Sequence, residues 1–149
     1  MRAFRLTRAK YPPFSGRGSL LVSGRWHWAG VPVEYCAEGL ALAVLETLRH
    51  TRKDQIPSDY VFYEVEISDT QIELVSPHMT PPDWTAAEPV LARDFGTEWV
   101  KERRSLGLLI PSVVMEGQRI LLLNPEHPGF SELRITGPHQ FQYDDRLFG

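Results

Sequence analysis

Cysteine is almost absent from this chain: Cys36 stands alone among 149 residues. One thiol excludes an internal disulfide, and the chain has no Cys/His cluster at zinc-site spacing. A reducing, cytoplasmic setting is the expectation. No apolar run approaches the length of a membrane span, and Met1-Arg2-Ala3-Phe4-Arg5-Leu6 does not lead into a signal-peptide core. A soluble protein with no membrane contact is expected. Excess charge of one sign is missing as well, with 16 basic against 19 acidic residues and a net charge of -3. That balance argues against a general grip on nucleic-acid backbone, so no direct DNA binding is expected, although a local basic patch stays open. There is no Walker loop, no dinucleotide glycine fingerprint, no internal repeat and no low-complexity tract. There is no Gly-x-Ser-x-Gly elbow either, which leaves a hydrolase serine nucleophile poorly supported.

What is present reads as globular. The chain is 42% hydrophobic and 23% charged, a composition that supports one domain, residues 1–149, with a real core. Alternation predicts a strand over residues 3–7, and residues 20–22 and 33–37 are further strand candidates. The clearest helix is 38–52, where Leu40, Ala41, Val44, Leu45 and Leu48 form an apolar stripe. Strands follow at 60–67 and 72–75, then an irregular, proline-rich connection at 77–89. A helix is predicted over 89–104 with Val90, Leu91, Phe95, Trp99 and Val100 inward. The apolar stretch 108–115 is interrupted by Pro111, which implies an edge or a bulge. Residues 120–123 form a short apolar strand, and 133–136 and 141–143 are candidate edge strands. Strands outnumber helices without regular βαβ alternation, which predicts an α+β fold.

The most informative segment is Ser23-Gly24-Arg25-Trp26-His27-Trp28-Ala29-Gly30-Val31-Pro32-Val33-Glu34-Tyr35. Glycine permits close backbone approach. Arginine offers a planar fork of donors suited to phosphate, and aromatic rings offer faces for stacking. Together they suit an anionic, ring-bearing ligand such as a nucleotide. Core aromatics beside a hairpin turn with a solvated arginine fit the same residues, and both readings stand at this point.

Other candidates carry the same duality. Glu46 lies roughly opposite the main apolar stripe of its helix, which makes it a solvated glutamate by period alone. Leu42 beside it softens that, because a glutamate next to a leucine can line a cleft. Ser112 follows Pro111, where a bulge re-aims a hydroxyl or nearby backbone satisfies it. Asn124 and His127 sit in a proline-bracketed turn, and turn chemistry accounts for both. Cys36 reads as a buried, inert thiol.

These pieces fall in one order, and that order resembles the RES-domain family, named for a shared arginine, glutamate and serine. Gly24-Arg25-Trp26-His27 is similar to its Gly-Arg-Trp-Asn/His signature, and Gly30-Val31-Pro32-Val33-Glu34-Tyr35 to the Gly-x-Pro-Val-x-Tyr continuation. The helix from Ala41 through Glu46 to His50, the Pro111-Ser112 step, Asn124-Pro125-Glu126-His127-Pro128 and Asp145-Arg146-Leu147 follow in register. Ser23 and His27 depart from the commoner residues. The resemblance implies an α+β fold with mixed, mainly antiparallel sheets and flanking helices, ADP-ribosyltransferase-like. It implies the toxin half of a bacterial toxin–antitoxin pair that acts on NAD+ as substrate, without a metal. The implied partner is a helix-turn-helix, Xre-like antitoxin, and a homodimer is compatible. It places Arg25, Glu46, Ser112 and Tyr35 in the catalytic set and Arg5, Trp26, His27 and Asn124 around the bound dinucleotide. Glu46 would stabilise positive charge on the ribose, Arg25 with Arg5 would clamp phosphate, Tyr35 or Trp26 would stack on a ring, and Ser112 would orient the glutamate or the ribose. The acceptor, whether water, phosphate or protein, is left open. A protein ADP-ribosyltransferase and a non-catalytic nucleotide- or antitoxin-binding module remain as alternatives.

Overall fold

A computed structural model describes residues 1–148. The side chains of Lys53, Asp145 and Phe148 lie outside that description, so the closing Asp145-Arg146-Leu147 motif is described only in part. The elements in chain order are β1 (Arg2–Arg8), α1 (Arg17–Leu21), β2 (Glu34–Ala37), α2 (Leu40–Leu48), β3 (Tyr60–Glu66), β4 (Ile72–Leu74), α3 (Val90–Glu102), β5 (Gly107–Pro111), β6 (Arg119–Leu123) and β7 (Arg134–Gln140). The strands form a seven-stranded sheet in the order β4-β5-β6-β2-β1-β3-β7. Every pairing is antiparallel except β4 with β5. A parallel pair needs a crossover rather than a tight turn, and α3 supplies it. The expected class, α+β with a mainly antiparallel sheet and flanking helices, is the one observed.

The sheet has a seam. β1 pairs with β3 from Arg2↔Glu66 to Arg8↔Tyr60, and β2 pairs with β6 along its whole length. Between β1 and β2 the register holds only at Phe4↔Ala37. Backbone groups freed by that divergence need other partners, and the Arg5 guanidinium supplies one by donating to the Tyr35 carbonyl at 3.0 Å. Successive strand side chains point to opposite faces, so the core divides. Leu122 packs with Trp26, Val33, Trp99 and Leu108 on one face. Leu121 and Leu123 pack with Ala3, Val61 and Val65 on the other.

α3 starts without a side-chain cap of its own at Pro89. Asp83 substitutes from upstream: its carboxylate accepts the Leu91 and Ala92 amides at 2.8 and 3.1 Å, filling orphan donors at the positive end of the helix. Gly96 lets the helix lie against the turn that bears Arg25, since a Cβ there would overlap the Trp26 carbonyl oxygen.

Several expectations change. Residues 20–22 were expected as strand, but 17–21 form a helical turn closed by the Leu20 amide on the Gly16 carbonyl. Three apolar residues do not distinguish the two periods. α3 buries Trp99 and Val100 and packs Phe95 against the core as expected, but Val90 and Leu91 are exposed in its first turn, and Ala92, Gly96 and Thr97 complete the buried face. Pro111 ends β5 beyond the last β4 partner, Leu74↔Leu109, where no neighbour needs its missing amide. Residues 141–143 are not strand; β7 ends at Gln140.

Candidate functional site

A cavity of about 400 Å³ opens at the seam between β1 and β2. α2 forms one wall with Ala43, Glu46 and Thr47, residues spaced i, i+3 and i+4 on one helical face, and His50 extends that wall from the turn just past its end. β1 and β2 contribute Phe4, Arg5, Tyr35 and Cys36, and the turn after α1 contributes Gly24, Arg25 and Trp26.

Glu46 is 26% exposed. Its Oε1 accepts a hydrogen bond from the Ser112 hydroxyl at 2.9 Å, and its Oε2 lies 3.8 Å from Arg49. Ser112 stands behind the carboxylate at 4% exposure. Its oxygen accepts the Val114 and Met115 amides at 3.1 and 3.2 Å, which leaves its proton directed at Glu46. The structure thus brings these two sequence candidates into direct contact.

Arg25 reaches the same cavity. Its Nη1 donates to the carbonyls of Trp84 and Ala86 at 2.9 and 2.6 Å. Burial, and then the neighbouring Arg49 and Arg93 cations, press its pKa below the ordinary arginine value, although an arginine remains charged. Arg25, Arg49 and Arg5 against Glu46 give the cavity a cationic bias, and such a cleft concentrates anions.

Tyr35 lines the same cavity. Its hydroxyl accepts the Trp26 amide at 3.1 Å and meets His27 Nδ1 at 2.7 Å. Burial holds its pKa above the usual phenol range. Trp26 is a core side chain whose ring sits against Trp84 and Phe95, with centroids at 6.5 and 6.1 Å. It reaches the cavity as part of a packed wall, so of the two rings expected to stack on a ligand, Tyr35 is the less enclosed.

Arg5 lines the cavity but is already partnered, with Nε 3.0 Å from the buried Glu34 carboxylate. Asn124 does not join the site. It is fully buried, donating to the Val100 carbonyl and accepting the Glu126 amide, both at 3.0 Å, and so ties the end of α3 to the end of β6. The expectation that it surrounds the dinucleotide is corrected on that ground. His127 is a turn residue whose Nδ1 accepts the Gly129 amide at 2.9 Å.

Sequence reading missed Thr47, Arg49 and the Trp84–Ala86 carbonyls, and named His50 only as the end of the helix motif that bears Glu46. Burial and the Arg49 cation lower the His50 pKa. The signal for Thr47 and His50 was available, because Thr47 shares a helical face with Glu46 and the expected helix, 38–52, carries His50 onto that face. Among the described residues no group of His, Cys, Asp and Glu converges in the manner of a metal site.

Comparison with known proteins gives consistent matches. A family model described as "RES domain" matches residues 2–144. The chain is 35% identical over 151 residues to a "Toxin Res" of Yersinia enterocolitica serotype O:8 / biotype 1B, covering 99% of each. It is 33% identical over 138 residues to a "Prs ADP-ribosylating toxin" of a Sphingobium species, covering 89% of this chain and 85% of the relative. Among solved structures, a chain from the M. tuberculosis MbcT–MbcA toxin–antitoxin complex matches with a TM-score of 0.75. That match covers 99% of this chain and 86% of the other at 17% identity, a likeness of fold.

Proposed function

The chain belongs to the RES-domain family, and from that premise we propose that it is the toxin of a toxin–antitoxin pair and consumes NAD+ by cleaving the nicotinamide–ribose bond. One observation carries the reading. Glu46, held by Ser112 at 2.9 Å, shares a cavity with Arg25 and Tyr35. In the proposed reaction the bond from ribose C1′ to the pyridinium nitrogen breaks. Its electron pair stays with nicotinamide, which leaves neutral. A nucleophile bonds to C1′ and gives up its proton. Positive charge gathers on the ribose as the bond breaks, as in glycoside cleavage. A fixed carboxylate interacts more strongly with that charge than with the ground state, and so lowers the barrier. Glu46 takes that role and Ser112 orients it. Arg25, with Arg49 near, binds the pyrophosphate, and Tyr35 bounds the ring subsite.

The acceptor is water or phosphate in this reading. The name of the Sphingobium relative favours a second one, transfer of ADP-ribose to a protein. The partner we propose is an Xre-like helix-turn-helix antitoxin, and the substrate pool is cytoplasmic NAD+. Among the described residues no helix is long and apolar enough to cross a membrane.

The test is to incubate purified protein with NAD+ labelled in the adenylate half. Free nicotinamide with labelled ADP-ribose or its phosphate is the expected result. Label retained on protein moves the second reading ahead. Intact NAD+ overturns both. Expression in cells should stop growth and lower NAD+, and co-expression of the antitoxin should restore both.

A further inference from the structure

His27 is 3% exposed, and both ring nitrogens are engaged. Nδ1 lies 2.7 Å from the Tyr35 hydroxyl and Nε2 lies 2.9 Å from the Val22 carbonyl. A carbonyl only accepts, so Nε2 carries the ring proton. Nδ1 is then a bare lone pair, and the Tyr35 O–H donates to it. The Tyr35 oxygen in turn accepts the Trp26 amide. Each bond therefore has one direction: Trp26 to Tyr35, Tyr35 to His27, His27 to Val22. The chain of bonds begins and ends on backbone either side of Arg25.

The backbone of the turn is closed as tightly. The Gly24 amide donates to the His27 carbonyl at 3.2 Å, and Arg93 Nε donates to the Gly24 carbonyl at 2.8 Å. A Cβ on Gly24 would stand 2.7 Å from both His27 Cε1 and the Tyr35 oxygen, so the turn closes only over glycine. The imidazole has no free nitrogen for a ligand. Burial and then the Arg93 cation disfavour its charged form, which agrees with Nδ1 serving as an acceptor.

We propose that His27 is a positioning residue that does not touch NAD+: its neutral imidazole, bonded to Tyr35 and Val22, locks the turn that presents Arg25 to the cavity. The proposal rests on the NAD+-consuming reading for its effect on turnover, but the lock itself is observable without substrate.

Two experiments test it. In the protein, the ¹⁵N signals of the His27 ring should show the neutral Nε2–H tautomer at neutral pH, with any titration displaced below the ordinary value. A ring that titrates near the ordinary value of about 6.5, or one protonated on Nδ1, overturns the proposal whether or not NAD+ is consumed. In steady-state NAD+ consumption, His27→Ala should lose about a hundredfold in kcat/KM, as misplaced binding groups do, with most of the loss in KM. His27→Asn should recover to within about tenfold, because its Oδ1 takes the place of Nδ1 and only the bond to Val22 is lost. Tyr35→Phe combined with His27→Ala should cost less than the sum of the two. If folded His27→Asn and His27→Ala lose kcat equally with KM unchanged, the imidazole acts on substrate and the proposal fails. If His27→Ala does not fold, His27→Asn and the ring spectrum decide. A locked tautomer in a protein that leaves NAD+ intact would remove the functional reading alone.

Discussion

The wall bearing Glu46 and the wall bearing Arg25 line one cavity but treat their polar atoms differently. Glu46 is held at one oxygen by Ser112, while its second oxygen stands 3.8 Å from Arg49. A carboxylate offers roughly four acceptor sites, so most of this one's capacity is open to a ligand. On the other wall the polar atoms are closed on each other. His27, Tyr35, Trp26 and Val22 form one chain of bonds, and the Arg25 Nη1 is held by two carbonyls. Satisfied buried networks are rigid, whereas an under-satisfied carboxylate at a cavity surface is ready to interact. One wall is built to act and the other to hold still.

The sharpest way to break that contrast is Glu46→Gln. The shape is kept and Ser112 can still donate to the amide oxygen, so thermal stability should change little. Turnover should fall by about a hundredfold to a thousandfold, the usual loss when one aimed electrostatic group is removed. Near wild-type NAD+ consumption by a folded variant would take Glu46 out of the mechanism.

Gly96→Ala tests the closed wall from behind. The added Cβ would overlap the Trp26 carbonyl oxygen, and backbone cannot yield as a side chain can. A loss of about 3 kcal/mol, the upper end for overpacking, is expected in denaturant unfolding, with activity falling because the Arg25 turn moves. An unchanged unfolding midpoint would mean that α3 is not pressed against that turn.

These contrasts explain what was legible in the sequence. β1, β3 and β6 carried alternating or continuous apolar runs, and the structure forms strands there. The Arg25, Glu46 and Ser112 set was legible through motif order; Arg25 and Glu46 line one cavity, and Ser112 stands outside its lining, hydrogen-bonded to Glu46. Glu46 was obscured by its own helix. The stripe chosen by period put Ala41 inside, where it is exposed, and the best-buried residues are Leu42 and Ala43. Residues 44–48 of α2 are all half-buried, and a single-face reading assumes a sharper divide. The closed wall was less legible, because its bonds run between side chain and backbone over many residues, as from Arg25 to Trp84 and Ala86. Asn124 misled in the opposite sense: its motif was conspicuous, and its work is to join two elements.

Arg25→Lys sharpens the comparison more gently, because Arg25 belongs to both walls. It lines the cavity, yet its Nη1 tethers the loop at Trp84 and Ala86. Lysine keeps the charge without the fork. NAD+ affinity by calorimetry should drop about tenfold and stability by about 1 kcal/mol. A drop in affinity with no change in stability would assign Arg25 wholly to the acting wall.

The smallest expected effect belongs to Cys36, which lines the cavity and is nevertheless only 2% exposed. Burial pushes its thiol from an ordinary 9.0 up to about 12. At pH 8 about one molecule in ten thousand then holds the reactive thiolate. Alkylating reagents should leave the native protein active and Cys36 unmodified over hours, and should react promptly once it is unfolded, as mass spectrometry would read. Rapid alkylation under native conditions would mean that the core on the sheet face opposite Tyr35, where Cys36 packs with Ala3, Val61 and Leu121, opens to solvent. The same shift gives stability a direction with pH. Below pH 9 the thiol is protonated in folded and unfolded chains alike, and it adds no pH dependence. Between pH 9 and 12 only the unfolded chain ionises, so it alone releases a proton, and stability falls as pH rises. Tyr35, also raised by burial, adds a loss of the same sign above its ordinary value of 10.0. Cys36→Ala should remove the thiol's part of that alkaline loss and leave the neutral-pH unfolding midpoint little changed, because a small buried side chain is replaced by a slightly smaller one.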